Sequence, residues 1–190
     1  MKFIFDFDDT LFLNTEKFKK KMFSVLETKG VPYSFALEKY KEKRAKEFSL
    51  KEFIAKCFEQ KTIPATEILS TYEDIMSECK EYVDQNLLAI VHQAGKENCF
   101  IVTNGDKEFQ EDKIKRSGVA PLFQSIHIVP ESKKEIIEKI CSTGNENEEI
   151  LFIENREHFF ADLNTKKYPN LHLILYDKDG LAKVQKFLEK

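Results

Sequence analysis

The chain has 190 residues, of which 42% are hydrophobic and 33% are charged, and its formal net charge is −3. This length suits one globular core with a modest insertion, and the slightly acidic balance excludes the basic footprint that nucleic acid requires. No apolar run approaches the roughly 18 residues of a membrane span. The four cysteines have no metal-type spacing and are expected to be reduced thiols. We therefore expect a cytoplasmic protein without a signal peptide and without a nucleic-acid or membrane partner, while the sequence leaves its oligomeric state open.

The chain opens with a short hydrophobic run that ends in acidic residues. Residues 2–7 are mostly Phe and Ile, which favour a buried strand, and Asp6, Asp8 and Asp9 lie at the end of this run. Carboxylates are costly to bury unless they are paired, hydrogen-bonded or bound to a metal. The aspartates therefore either cap a turn after an ordinary strand or form a functional carboxylate pair.

Four helices are predicted after this first strand, with no strand pattern among them. Their predicted ranges are 14–28, 34–46, 50–58 and 64–76. Asn14 or Thr15 is expected to cap the first helix, and Ser49 with Glu52 forms a capping-box sequence before the third. Residues 14–84 are therefore predicted to be an all-helical insertion.

From about residue 83 onward, strands alternate with helices over short connections. A second strand begins at Cys99, and further strands are predicted at 126–129, 150–153 and 171–175. Helices are predicted at 83–93, 109–117 and 181–188, with another opened by a capping-box sequence at residues 132–135. This alternation predicts an α/β fold in which a Rossmann-like parallel five-stranded sheet has helices on both faces.

Chemically useful side chains lie just after successive predicted strands. These side chains are Asp6, Thr103, the pair Lys133 and Lys134, and Glu154. In parallel sheets of this kind, ligands bind at the carboxyl ends of the strands. We therefore expect these residues to converge on one edge of the sheet, although they are distant in sequence.

The segment from Asp6 to Thr10 resembles motif I, Asp-x-Asp-x-Thr, of the haloacid dehalogenase-like (HAD) phosphohydrolases. The resemblance implies that Asp6 attacks phosphorus and that Asp8 is the general acid and then the general base. An aspartyl-phosphate divides phosphoester hydrolysis into two easier displacements, and a second carboxyl group can move the protons. The anionic nucleophile is repelled by phosphate, by about 4 kcal/mol per charge pair at about 4 Å and an effective dielectric near 20. A cation is therefore needed, and the family uses Mg²⁺.

Later segments are similar to the other motifs of the family. A strand ending in Thr103, Asn104 and Gly105 resembles motif II, whose hydroxyl binds a phosphate oxygen, and the following stretch, 109–123, is similar as well. Motif III supplies a lysine near a helix start, for which Lys133 is the first choice and Lys134 the second. The resemblance implies catalytic roles for Asp6, Asp8, Thr103 and Lys133. It implies substrate-binding roles for Thr10, Asn104, Gly105 and Lys134.

The chain departs from the family at motif IV, which is usually a pair of aspartates. Glu154 and Asn155 stand there instead, so one negative charge is lost and Mg²⁺ binding should weaken or change its geometry. Glu157 and Asp162 are nearby acids that would compensate. The resemblance implies metal ligands at Asp6, Asp8, Glu154 and Asn155.

The resemblance also implies a domain organisation. Residues 1–13 and 85–190 correspond to the catalytic core, and residues 14–84 correspond to a helical cap inserted between motifs I and II. A cap excludes water and selects the leaving group, so the expected partner is a small phosphorylated metabolite. Phe12 and Asn14 are candidates for selecting it.

Three functions stay open from the sequence. The first is a Mg²⁺-dependent phosphomonoester hydrolase, and the second is a phosphotransferase such as a sugar-phosphate mutase. The third is a non-catalytic phosphate-binding or scaffold protein with a degraded metal site, which Asn155 favours. A dehalogenase is less favoured because dehalogenation does not require an acid/base such as Asp8.

Overall fold

Five parallel strands form the sheet at the centre of this computed structural model, which describes residues 1–44, 48–59 and 64–189. The strands are β1 (Lys2–Phe5), β2 (Cys99–Asn104), β3 (Ser125–Val129), β4 (Ile150–Glu154) and β5 (Leu171–Leu175). Their spatial order is β3-β2-β1-β4-β5, and every neighbouring pair is parallel. The predicted five-stranded parallel sheet is confirmed. The chain reverses its direction of strand addition at β1, so the crevice outside β1 and β4 is a topological switch point.

The helices fall into two groups. Four lie within residues 14–84: α1 (Lys19–Thr28), α2 (Tyr33–Arg44), α3 (Leu50–Cys57) and α4 (Ala65–Met76). The other four pack with the sheet: α5 (Gln85–Ala94), α6 (Lys107–Ser117), α7 (Lys134–Ser142) and α8 (Gly180–Leu188). We call residues 14–84 the helical insertion. No helix in the described part of the chain is both long and apolar enough to span a membrane.

The two faces of the sheet bury separate sets of apolar side chains, because successive residues of a strand point to opposite faces. Phe3 and Phe5 of β1 join a large cluster that also contains side chains of the helical insertion, α5, α6 and α8. Ile4 joins a smaller cluster with Ile137 and Ile140 of α7. Helices therefore cover both faces of the sheet, as the alternation predicts.

Several helix starts differ from those predicted. The first helix opens with a π-helical turn, Asn14–Phe18, and has no side-chain cap, because Thr15 donates to Asp9 instead. Ser49 makes no capping hydrogen bond, and Glu52 accepts from Lys43 Nζ at 2.6 Å. The predicted capping box at Ser49 was therefore wrong.

The helix after β3 also begins differently. Lys133 is at the N-cap position of α7, so the helix starts two residues after Ser132. The Ser132 hydroxyl accepts from the Lys134 N–H at 3.1 Å and donates to Asp162 at 2.7 Å. The predicted capping box at residues 132–135 was therefore wrong. The predicted end of the second helix at Lys46 lies outside the described residues, and α2 is described to Arg44.

Polar contacts join the helical insertion to α6. The Tyr72 hydroxyl donates to Asp112 at 2.7 Å, and Arg116 forms a bidentate pair with Glu73. Lys51 pairs with Glu108 at the start of α6. These contacts place α3 and α4 beside a helix whose first turn borders the carboxyl edge of the sheet.

Candidate active site

Lys133 bridges two buried carboxylates at the carboxyl edge of the sheet. Its Nζ lies 2.6 Å from Asp6 Oδ1 and 2.5 Å from Glu154 Oε2. Asp6 follows β1 directly, and Glu154 is the last residue of β4, which pairs with β1 in parallel. The side chains of Asp6, Lys133 and Glu154 are 6%, 1% and 0% exposed. Neighbouring strand ends and the start of α7 therefore bring together three groups separated by up to 148 positions in sequence.

This cluster has two carboxylates for one ammonium group. Burial and the charge of Asp6 raise the pKa of Glu154 to about 7, against the opposing effect of Lys133. The Arg156 N–H also donates to Glu154 Oε1 at 3.0 Å and favours its charged form. With both carboxyl groups ionised, the cluster carries a net charge of −1, which a bound cation would offset.

The two neighbouring aspartates of the acidic segment have different surroundings. Asp8 is 19% exposed and its carboxylate contacts two side chains of α6. Asp9 has a φ of 59°, and its carboxylate accepts from Thr15 N at 2.5 Å and Thr15 Oγ1 at 2.7 Å. Asp is one of the few residues that tolerate this left-handed conformation. Asp9 therefore stabilises the turn, whereas Asp6 and Asp8 line the cavity described below.

Three buried polar oxygens near the strand ends have no hydrogen-bond partner among the described residues. They are Thr10 Oγ1, Thr103 Oγ1 and Asn155 Oδ1. Buried polar groups are nearly always satisfied, and each exception requires an explanation such as an absent ion, water or ligand. Thr103 is the penultimate residue of β2 and is 1% exposed, so its hydroxyl is placed to donate to a bound anion.

A cavity of about 480 Å³ lies at this edge of the sheet, between the core and the helical insertion. Its core side is lined by Asp6, Asp8, Thr103, Asn104, Gly105 and Glu154. The helical insertion contributes Asn14, Phe18, Lys19, Met22, Tyr40 and Phe48. Cavities of roughly 300–1,000 Å³ are typical of small-molecule sites, so this volume suits a metabolite.

The chain matches the family described as haloacid dehalogenase-like hydrolase over residues 3–165. It belongs to that family. No curated protein matches the sequence at a significant level. The family match spans β1 to β4 and therefore includes every site residue described above.

Solved structures share the HAD-like fold at low sequence identity. A protein from Burkholderia xenovorans described as a haloacid dehalogenase-like hydrolase has a TM-score of 0.68 and 16% identity, covering 95% of this chain and 86% of its own. The magnesium-bound HAD hydrolase YfnB from Bacillus subtilis has a TM-score of 0.55 and 14% identity, and the match covers 100% of this chain and 98% of YfnB. A protein from Thermotoga maritima described as a beta-phosphoglucomutase has a TM-score of 0.58 and 14% identity, and the match covers 97% of this chain and 91% of that protein. These similarities establish the fold and leave the substrate open.

The structure separates the two lysines considered for HAD motif III. Lys133 is buried against Asp6, whereas Lys134 is exposed at the start of α7. Among the residues considered for substrate selection, Asn14 lines the cavity. Phe12 is completely buried and stacks on Phe7 with centroids 5.0 Å apart, so it belongs to the core. Asp162, considered as a compensating acid, is exposed and bonded to Ser132.

The donor set fits a magnesium ion that keeps several water ligands. No group of three or more His, Cys, Asp or Glu side chains in the described ranges is arranged to hold a metal. Asp6 and Glu154 nevertheless supply two carboxylates, and Asn155 has a buried oxygen without a partner. Mg²⁺ is commonly held by one or two carboxylates, with water and substrate phosphate completing its coordination. The chemistry of the residues present therefore agrees with the ion used by the HAD family.

Sequence reasoning assigned no role to two residues that contact Asp8. Lys113 Nζ lies 2.5 Å from Asp8 Oδ1, and Gln110 Nε2 lies 2.8 Å from Asp8 Oδ2. Both are on α6 and both are buried, at 1% and 4% exposure. A signal was present in the sequence: Lys113 lies four residues after Phe109 and one before Ile114, on the apolar side of the helix.

Proposed function

We propose that this protein is a cytosolic phosphomonoester hydrolase that acts on a small phosphorylated metabolite through an aspartyl-phosphate, with Mg²⁺. The observation that carries the proposal is the buried bridge from Lys133 to Asp6 and Glu154, two acids that line the cavity together with Thr103. A carboxylate held by an ammonium group at the strand end is an oriented nucleophile. The unpartnered Thr103 hydroxyl supplies a donor for the phosphoryl group.

In the first step, Asp6 forms a bond to phosphorus while the bond to the leaving oxygen breaks. Lys133 holds Asp6 Oδ1, so Oδ2 is the attacking oxygen. Lys133 and Thr103 interact with the phosphoryl oxygens and offset the charge that develops on them. The carboxyl group of Asp8 donates its proton to the leaving oxygen, which departs as an alcohol.

In the second step, water hydrolyses the aspartyl-phosphate. Asp8, now a carboxylate, takes a proton from the water as its oxygen bonds to phosphorus. The bond from phosphorus to Asp6 then breaks, which releases inorganic phosphate and returns Asp6 as a carboxylate. Asp8 ends the cycle protonated, and the net reaction consumes one water for each phosphoester.

The residues that would hold Mg²⁺ are Asp6, the backbone carbonyl of Asp8, Glu154 and Asn155. When bound, the ion would offset the charge of the phosphoryl group and of Asp6. Glu154 keeps the negative charge of a motif IV aspartate, while Asn155 contributes only a neutral oxygen. The proposal therefore includes weaker Mg²⁺ binding than a site with two acids would have.

The helical insertion is proposed to be the cap that selects the substrate. It supplies Asn14, Phe18 and Lys19 to the cavity wall, together with apolar and aromatic side chains from α1 and α2. A cover of this kind removes water from the phosphoryl group and restricts the size of the leaving group. We therefore propose residues 14–84 as a cap on a core formed by residues 1–13 and 85–190.

The test is phosphate release from p-nitrophenyl phosphate and from a panel of sugar, nucleotide and glycolate phosphates, with Mg²⁺ and with EDTA. Wild-type protein should release phosphate only with Mg²⁺. Asp6→Asn should reduce kcat by about 10⁴-fold or more while the fold is retained, because the isosteric amide cannot act as the nucleophile. Asp179→Asn, at an exposed position before α8, is the matched control and should behave as wild type. Substantial turnover by Asp6→Asn would contradict the mechanism.

A second candidate, a non-catalytic phosphate-binding protein, is favoured by the small number of acids at the metal site. The described residues supply only two buried carboxylates there, Asp6 and Glu154. Calorimetric titration with Mg²⁺ in the presence of phosphate separates the candidates, because the hydrolase requires binding and the scaffold does not. For the phosphotransferase alternative, the phosphoryl group would appear on an added acceptor sugar and not as free phosphate.

A further inference from the structure

Lys113 is a buried cation that pairs with one carboxylate among the described residues, on the cavity side. Its Nζ lies 2.5 Å from Asp8 Oδ1, and its side chain is 1% exposed. Four aromatic rings surround the ammonium group, with centroids 4.6–5.8 Å from Nζ: those of Phe7, Phe12, Phe18 and Phe109. Ring faces attract a cation but do not replace a hydrogen-bonded anion. The rings therefore fix the direction in which Lys113 can reach.

Gln110 fixes the other oxygen of the same carboxylate. Its Nε2 lies 2.8 Å from Asp8 Oδ2 and 3.2 Å from the carbonyl oxygen of Asn104. Gln110 Oε1 is buried without a partner among the described residues, so the amide is oriented by its donor side alone. The contact with Asn104 ties Gln110 to the end of β2. Both oxygens of Asp8 are thus held from one helix.

The position of α6 makes these two contacts rigid. Gln110 and Lys113 are three residues apart and face the same side of the helix. Asp106 caps the helix by accepting from Phe109 N at 2.8 Å, and α6 begins just after the strand end that carries Thr103. A carboxylate has about four lone-pair positions, so the two contacts leave each oxygen able to exchange a proton towards the cavity.

We propose that Lys113 and Gln110 are positioning residues that hold the Asp8 carboxyl group in the orientation required for proton transfer. This inference rests on the proposed hydrolase function. Catalytic groups must be held within about 0.5 Å and 10–20° of their productive geometry, which a side chain with 19% exposure does not achieve alone. Lys113 and Gln110 act through Asp8 and have no direct part in bond making.

Two substrates of similar shape separate positioning of Asp8 from general damage. Phenyl phosphate has a poor leaving group that needs a proton from Asp8, whereas p-nitrophenyl phosphate has a good leaving group that does not. In Lys113→Met, kcat/KM for phenyl phosphate should fall by about 100-fold, the size of effect expected from misplacing a catalytic group. kcat/KM for p-nitrophenyl phosphate should change little, because it reports only formation of the aspartyl-phosphate.

Hydrolysis of the aspartyl-phosphate requires Asp8 with every substrate. Lys113→Met should therefore lower kcat for p-nitrophenyl phosphate, release a burst of p-nitrophenol and accumulate phosphorylated protein that is visible by intact mass. Gln110→Met should change both substrates' kinetics in the same way but by a smaller factor. Because this variant removes no charge, it also provides the test if Lys113→Met folds poorly. Lys115→Met, at an exposed position of the same helix, is the matched control and should match wild type.

A double-mutant cycle with Asp8→Asn tests whether Lys113 acts through Asp8. If Lys113 acts only through Asp8, then Asp8→Asn/Lys113→Met should have the same kcat/KM for phenyl phosphate as Asp8→Asn alone. The inference would be overturned if the losses in kcat/KM of the two single variants added in the double variant. It would also be overturned if Lys113→Met lost kcat/KM equally with both substrates and gave no burst. Turnover by the wild-type protein would still support the hydrolase in either case. A wild-type protein that releases no phosphate from any substrate would overturn both proposals together.

Discussion

Two aspartates that are two positions apart are each held by a buried lysine, but the surroundings of the two lysines differ. Lys133 lies between two carboxylates, Asp6 and Glu154, and all three side chains are nearly inaccessible. Within the described part of the chain, Lys113 pairs with a single carboxylate, that of Asp8, which is partly exposed to the cavity. With the carboxyl groups ionised, the first cluster therefore has an excess of negative charge, and the second is balanced.

The difference indicates how one short segment supplies two chemical roles. An excess negative charge at Asp6 favours a bound cation and a phosphoryl group beside it. A balanced pair at Asp8 needs no further ion, and its aromatic surroundings fix the cation in place. The end of β1 makes the separation possible, since Asp6 directly follows the strand while Asp8 belongs to the turn that contacts α6.

The largest contrast should appear when each lysine is replaced by methionine. Lys133→Met leaves two buried carboxylates uncompensated and should lower the free energy of unfolding by about 3–5 kcal/mol. Lys113→Met leaves one carboxylate that the cavity can hydrate, so the loss should be about 1–3 kcal/mol. Urea titrations at pH 8 with EDTA measure both. A larger loss in Lys113→Met would mean that charge excess does not distinguish the clusters.

The pH dependence of stability should be concentrated in the Lys133 cluster. The pKa of Glu154 is about 7 in the folded protein against 4.5 for an ordinary Glu, so the folded state binds its proton more tightly. The free energy of unfolding should therefore fall as pH rises from about 4.5 to about 7, by about 3 kcal/mol at 1.36 kcal/mol per pKa unit. In Glu154→Gln without metal, this fall should be absent. Urea midpoints at pH 5 and pH 8 measure it, and an unchanged slope in the variant would assign the effect to other groups.

Sequence reasoning predicted the Lys133 cluster better than the Lys113 cluster, for a physical reason. Parallel strands bring their carboxyl ends to one edge, so residues after the strands, such as Asp6 and Glu154, are placed together by the sheet alone. Lys113 instead lies on a helix rich in charged residues, where a lysine is normally solvated. Its burial depends on rings from Phe7, Phe12 and Phe18, which lie about 100 residues earlier.

Local capping patterns were the least reliable part of the prediction. The capping-box sequences at Ser49 and Ser132 are both present, but tertiary partners engage the side chains that would complete them. Glu52 pairs with Lys43, and Ser132 contacts Asp162, 30 residues away. A cap contributes about 1 kcal/mol, which a tertiary hydrogen bond or ion pair can match. The alternation of strands and helices involves many residues of the whole sheet, so a single tertiary contact does not override it.

The smallest predicted effect concerns Asn155, a neutral residue where motif IV usually has a second aspartate. Replacing the neutral amide by a carboxylate in Asn155→Asp increases the negative charge next to Glu154, so Mg²⁺ should bind about tenfold more tightly or better. The same change should lower stability without metal, since a third acid joins a cluster that already has an excess of negative charge.

Calorimetric titration with Mg²⁺ measures the affinity, and Asn147→Asp is the matched control. Asn147 lies in the exposed loop before β4, at the opposite edge of the sheet, so the same charge change there should leave Mg²⁺ affinity unaltered. Equal effects of the two substitutions would mean that overall charge, and not the position of Asn155, governs binding. A specific gain at 155 would identify the Lys133 cluster as the metal site and leave the Lys113 cluster to proton transfer.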